Sequence, residues 1–136
     1  MSAPTSACTF QYLDGRVKEF VLTEVSRRAV DELFDMAERM LHEALLRNDL
    51  LYLSQPTLID SGVGTQPLNH SLARLHAMMD KFPQTRHGLI AITLPSSPLL
   101  KTLSVMMRPL APMRIYTPQE REQALSWLLS SSEAKR

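Results

Sequence analysis

Apolar positions recur along the chain with two different periods, and the switches between them outline its elements. Phe10 and Tyr12, then Val17, Phe20 and Leu22, flank Asp14-Gly15, the strongest short hairpin signal, so residues 8–13 and 17–23 are predicted to pair antiparallel. Val30, Leu33, Phe34, Ala37, Met40, Leu41, Ala44 and Leu45 then keep the i, i+3, i+4, i+7 spacing, with Asp31, Glu32, Asp35, Glu38 and Arg39 on the opposite side. This predicts a long helix lying on a partner along one stripe.

Leu50-Leu51-Tyr52-Leu53, between Asn48-Asp49 and Gln55-Pro56, suits a central strand covered on both faces. "LIDSGVGT" at 58–65 reads as the end of a buried strand running into an acid, a hydroxyl and two glycines, Gly62 and Gly64. Leu68, Leu72, Leu75, Met79 and Phe82 predict a second helix, starting near residue 66 with Pro67 in its first turn and stopped by Pro83. His87 to Leu94 is strand-like and ends at Pro95-Ser96-Ser97-Pro98. Leu99, Leu103, Met107 and Leu110 trace a shorter helix closed by Pro109 and Pro112, and Met113 to Tyr116 is the last strand. The final helix is announced by Thr117 as N-cap, Pro118 at its first position and Glu120 three residues after the cap, with Ala124, Trp127 and Leu128 facing inward.

Strands joined through helices imply right-handed crossovers and parallel pairing. The expected fold is therefore α/β: a mixed, mostly parallel sheet of about five strands, with an N-terminal antiparallel hairpin and about four helices packed on it. At 136 residues and 44% hydrophobic composition the chain has room for one domain, expected over 8–130, with 1–7 disordered and 131–136 frayed. No internal repeat is visible.

Charge changes this picture little. The formal net charge is +1 and Lys and Arg are scattered, so the basic stripe that nucleic acid requires is missing. The single cysteine, Cys8, rules out an internal disulfide, which suits a reducing cytoplasm, and it reads as a buried strand thiol. Residues 1–7 lack the pattern of a signal peptide, and no apolar run is long enough for a membrane span.

The order of elements, "LLYLSQPTLIDSGVG", and "GLIAITLPSSPLLKTLSVMM…MRIYTPQEREQALSWL" resemble the STAS domain, the sulphate-transporter and anti-sigma-factor-antagonist fold. In that family the middle strand runs into an Asp-Ser-Ser-Gly-type turn, and the last helix bears a Glu-Ala-Leu-like pattern, here Glu122-Gln123-Ala124-Leu125. The resemblance spans nearly the whole chain. It implies a non-enzymatic regulator that docks on a protein partner of anti-sigma-factor or kinase type, or on itself as a homodimer, and that needs no cofactor. It also implies Ser61 as the phosphorylation candidate, with Asp60, Gly62 and Gly64 beside it. Only one serine follows Asp60, where the family carries two hydroxyl or small residues. The simpler reading of Ser61 is a polar turn facing solvent.

Other constellations are weaker. Asp60, Ser61 and His70 or His76 supply the residue types of a hydrolase triad, but the nucleophile elbow is absent. His42, His70, His76 and His87 show no pairing at metal-ligand spacing. Ser96 and Ser97 sit where open α/β sheets place ligands, although a capping serine also accounts for them. Met78-Met79 and Met106-Met107 each place one thioether in the core and its neighbour at a surface, so Met106 is a candidate for apolar contacts. The same topology also resembles the lipid-binding CRAL-TRIO architecture. The alternative function is thus a small apolar ligand- or lipid-binding domain, with a cavity between the 99–110 helix and the sheet.

Overall fold

The computed structural model of the protein describes residues 6–13, 15–49, 55–83, 89–95 and 113–134, with side chains as far as Ser130. Among these, the chain forms five strands and three α-helices: β1 (Cys8–Leu13), β2 (Val17–Leu22), α1 (Arg27–Leu46), β3 (Thr57–Asp60), α2 (Leu68–Lys81), β4 (Ile90–Thr93) and β5 (Met113–Tyr116), then a 3-10 turn (Pro118–Glu120) running into α3 (Arg121–Ala134). The α/β class, the antiparallel hairpin and the parallel remainder are as expected.

The hairpin closes where Gly15 takes the left-handed conformation (φ 67°), which costs a residue without Cβ nothing, and the Arg16 N–H donates to Leu13 O at 3.0 Å. Leu13 faces Val17 and Phe10 faces Phe20 across it. From β2 onward the pairing is parallel and the sheet order follows the chain, β1-β2-β3-β4-β5.

Strand alternation divides the sheet into two working faces. Phe20, Leu22, Ile59, Ile90 and Ile92 point to α1 and α2, whereas Val17, Leu58 and Ala91 point to α3, where they meet the fully buried Ala124 and Leu128. The apolar stripe of α1 buries Val30, Leu33, Phe34, Leu41 and Ala44, and its N-cap Ser26 accepts the Ala29 N–H at 3.0 Å. On the other side of α1, Arg74 of α2 bonds Asp31, Asp35 and Glu38 at 2.7–2.9 Å, and His70 lies 2.7 Å from Asp31. The helices are therefore joined by charge outside and by hydrocarbon inside. At the last helix Glu120 Oε1 accepts both the N–H and the hydroxyl of Thr117, so the predicted capping box is present in the 3-10 first turn.

Several expectations move. The strand between β2 and β4 is Thr57–Asp60, which takes in the strand end read at residues 58–60, and the Leu50-Leu51-Tyr52-Leu53 segment lies outside the described residues. Pro67 occupies the cap position of α2 and the helix starts at Leu68. Met78 and Met79 are both buried, at 7% and 2% exposure, because α2 packs against α1 as well as over the sheet and buries a face wider than one residue. Ser6 and Ala7 are tied to the strands: Thr23 N–H donates to Ala7 O and Thr23 Oγ1 to Ser6 O. At the other end α3 continues to Ala134. Asp14, His87, Ser96, Ser97, Met106 and the 99–110 helix lie outside the described residues.

Candidate functional site

The loop after β3 is bound tightly to its surroundings. Ser61 is 1% exposed, so the solvent-facing turn expected for it is not what forms. Its N–H donates to Thr93 O, its hydroxyl donates to Gly64 O at 2.6 Å, and Gln66 Nε2 donates to that hydroxyl at 3.2 Å. Gln66 also bonds the Ser26 N–H and Glu24 O, so one amide ties this loop to the turn before α1. Asp60 faces the other way, accepting the Gly62 N–H and the Thr93 hydroxyl. Gly64 passes so close to Val25 that a Cβ there would lie 2.6 Å from Val25 Cγ2. Val25 and Val63 are left about half exposed at this end of the sheet, at 49% and 52%.

Neither histidine of the imagined triad approaches Ser61 in the hydrogen-bond pattern. His70 is held by Asp31 and by Arg27, and His76 is exposed on α2. Asp60 instead serves its own turn. The three residue types are present, but the structure does not bring them together.

A feature that the sequence pattern did not place lies under the helices. The inner face of β2 to β5 and the apolar sides of α1 and α2 line a partly open cavity of about 150 Å³. Its floor is Phe20, Leu22, Ile59, Ile90, Ile92 and Ile115, and its roof includes Leu33 and Phe34 of α1 and Leu72, Leu75 and Met78 of α2. Polar groups occur at its two ends, which the strand rise of about 3.3 Å per residue sets roughly 13 Å apart between Thr57 and Ser61. At the Ser61 end, the Ser61 hydroxyl, Gln66 and the Ser71 hydroxyl all have protein partners.

The other end differs. Lys18, at 6% exposure, enters the wall from β2, and burial pushes its ammonium down to about 8. Its backbone N–H donates to Pro56 O, which brings Gln55 alongside, and Gln55 Oε1 is buried with no hydrogen-bond partner. The neighbouring charge, Glu19, points to the opposite face at 1% exposure, where Arg121 and Gln11 hold it. Because β2 is internal, each of these two consecutive charges is carried into one of the two layers.

Cys8 is buried beneath α1, where burial and the Glu32 carboxylate push its thiol up to about 11. Among the described residues no group of three or more His, Cys, Asp or Glu is arranged to hold a metal ion, and no helix is long and apolar enough to cross a membrane. Comparison of the chain with family models, with curated proteins and with solved structures found no match.

Proposed function

We propose that the chain is a non-enzymatic binding module that takes a small apolar molecule into the cavity between the sheet and helices α1 and α2. The observation that carries this reading is the cavity itself, about 150 Å³ of space walled almost wholly by hydrocarbon. Protein cores are close-packed, so unfilled apolar space of this kind forfeits packing contacts that an occupant restores. Cavities of about this volume, lined by Leu, Ile and Phe, are dry and bind benzene or xenon. The size favours a compact ligand over the lipid that the alternative reading also included.

Titration with toluene, followed by amide chemical shifts, tests this. Shifts centred on the cavity lining are expected, with loss of binding in Ala37→Leu, which adds bulk to the roof. Absence of shifts at saturating toluene removes the reading.

A second reading, docking of STAS type at the end of the sheet, is supported by the exposed pair Val25 and Val63 beside the Asp60-Ser61-Gly62 turn. In its homodimeric form it predicts concentration-dependent association by analytical ultracentrifugation, lost in Val25→Asp/Val63→Asp. A wild-type chain that stays monomeric discards that form. Phosphorylation of Ser61 requires the loop to open first, because its hydroxyl is turned inward.

A further inference from the structure

We propose that the outer edge of β1 pairs with the same edge of a second copy of the chain, antiparallel about Phe10, so that two five-stranded sheets run on as one. The cavity plays no part in this pairing, and the surface is a different one from the sheet end that carries Val25 and Val63.

The two edges of the sheet are unlike. Among the described residues β1 and β5 are the outermost strands. β5 is four residues long and carries the exposed Arg114, whose guanidinium lies 4.8 Å from the centre of the Trp127 ring. A short strand bearing a charge is a usual way of protecting an edge. β1 runs Cys8-Thr9-Phe10-Gln11-Tyr12-Leu13 with no charge, proline or glycine, and its register with β2 is unbroken by a bulge. It carries none of the sequence devices that keep an edge from pairing.

Main-chain direction fixes the register. Thr23 N–H donates to Ala7 O, and Lys18 N–H donates to Pro56 O on the far side of β2. With Cys8 opposite Leu22 and Tyr12 opposite Lys18, antiparallel alternation turns the N–H and C=O of Thr9, Gln11 and Leu13 toward β2 and those of Cys8, Phe10 and Tyr12 outward. A two-fold axis at Phe10 then sets Phe10 against its own copy and Cys8 against Tyr12 of the second copy, each pair exchanging both main-chain bonds. The side chains agree with that register: aromatic meets aromatic at Phe10 on the inner face, Thr9 meets Gln11 on the outer face, and no like charges are opposed. The strand is thus its own complement, which is the argument for a second copy as the occupant. Pairing of β1 with β5 of another molecule would be head-to-tail and would not close. Phe10 is partly buried and Tyr12 is 43% exposed. Above them Met36 and Met40 of α1, whose Glu32 accepts the Ala7 N–H, pack on the same core yet are only partly buried. Flexible thioethers suit a seam between two such copies.

Sedimentation of the full chain, with residue-resolved amide exchange in dilute and concentrated samples, tests the pairing. A concentration-dependent dimer is expected, in which the amides of Cys8, Phe10 and Tyr12 exchange at least about tenfold more slowly than in the dilute chain, while those of Thr9 and Gln11, bonded to β2 in both states, change little. The dimer should persist in Val25→Asp/Val63→Asp, which separates it from docking at the end of the sheet. Phe10→Lys and Phe10→Glu each oppose like charges at the axis and should be monomeric alone, whereas their equimolar mixture should pair again. The proposal is overturned by a wild type that stays monomeric, by a dimer without the alternating slowing or lost in Val25→Asp/Val63→Asp, or by growth beyond a dimer. It is also overturned by slow exchange that ignores concentration and vanishes in a chain lacking residues 1–5, since the chain would then cover its own edge. Should both charged variants fail to fold, the exchange pattern of the wild type decides by itself.

Discussion

Glu19 of β2 and Arg121 of α3, 102 residues apart in sequence, form an ion pair across the outer face of the sheet, with the carboxylate 1% exposed and the guanidinium about one-third exposed. Gln11 of β1 donates to the same carboxylate, so the edge strand, the internal strand and the last helix meet at one anion. Arg121→Met leaves Glu19 buried with the Gln11 amide still bonded to it and is expected to cost about 3 kcal/mol. The double variant Glu19→Gln/Arg121→Met, with no charge left behind, is expected to recover most of that loss. Urea unfolding of the three variants checks it; equal losses in single and double variants would mean that the pair is not coupled.

Lys18 gives stability a pH dependence of definite sign. Burial lowers its folded-state pKa from 10.5 to about 8. Between those values the unfolded chain holds the proton more firmly than the folded one, so this group makes the protein more stable as pH rises through that window. Below about 8 the cost is fully present, at most about 3 kcal/mol for a shift of this size. Lys18→Met is therefore expected to be more stable than wild type at pH 7, by about 1–3 kcal/mol. The difference should shrink as pH approaches 10. Parallel stability curves for the two proteins would falsify this account.

Cys8 should be chemically quiet while the protein is folded. With the thiol pushed up to about 11, its thiolate fraction at pH 8 is on the order of 10⁻³, and the sulfur is also buried. A disulfide reagent should react at least about 100-fold more slowly with the native protein than with the denatured chain. Equal rates would show that β1 opens readily at its start.

Ser61 is expected to tolerate removal better than charge. Ser61→Ala strips the hydroxyl from Gly64 O and Gln66 Nε2 and should cost about 1–2 kcal/mol. Ser61→Asp forces a carboxylate into a site with 1% exposure and faces the Gly64 carbonyl with an acceptor, so a larger loss, about 3 kcal/mol or more, is expected. Melting temperatures of the two variants rank them. An aspartate variant as stable as the alanine one would imply that the loop opens at little cost.

Much of the fold is legible because local rules and tertiary packing agree in particular places. Asp14-Gly15 between alternating apolar residues marks the hairpin, the Thr117 to Glu120 box marks the start of the last helix, and the stripe from Val30 to Ala44 marks α1. The strand between β2 and β4 was harder to place. Thr57-Leu58-Ile59-Asp60 is short and bracketed by polar residues, whereas the more apolar run at 50–53 attracts the eye. Leu58 and Ile59 serve opposite faces, so the sequence shows the end of a buried strand there but not where it begins.

The site was less legible, for a different reason. Whether Ser61 faces water depends on Gln66 reaching back to Glu24 and Ser26, a contact across about 40 residues that no local pattern encodes. The cavity is a property of how two helices and four strands fail to fill a volume. Composition says that Lys18 and Gln55 are polar; only the fold around them makes one a buried amine and leaves the other's side-chain oxygen buried without a partner.

The cavity's walls run in sequence from Lys18 to Ile115 and take in four strands and two helices. No contiguous fragment of the chain can rebuild it, and losing either helix or any one of four strands removes a wall. An occupant is therefore linked to the folded state as a whole: at a hundredfold excess over its dissociation constant it adds about 2.7 kcal/mol to global unfolding. The last amides to exchange, those that open only when the entire molecule unfolds, are the ones whose exchange a bound ligand should slow by the full amount.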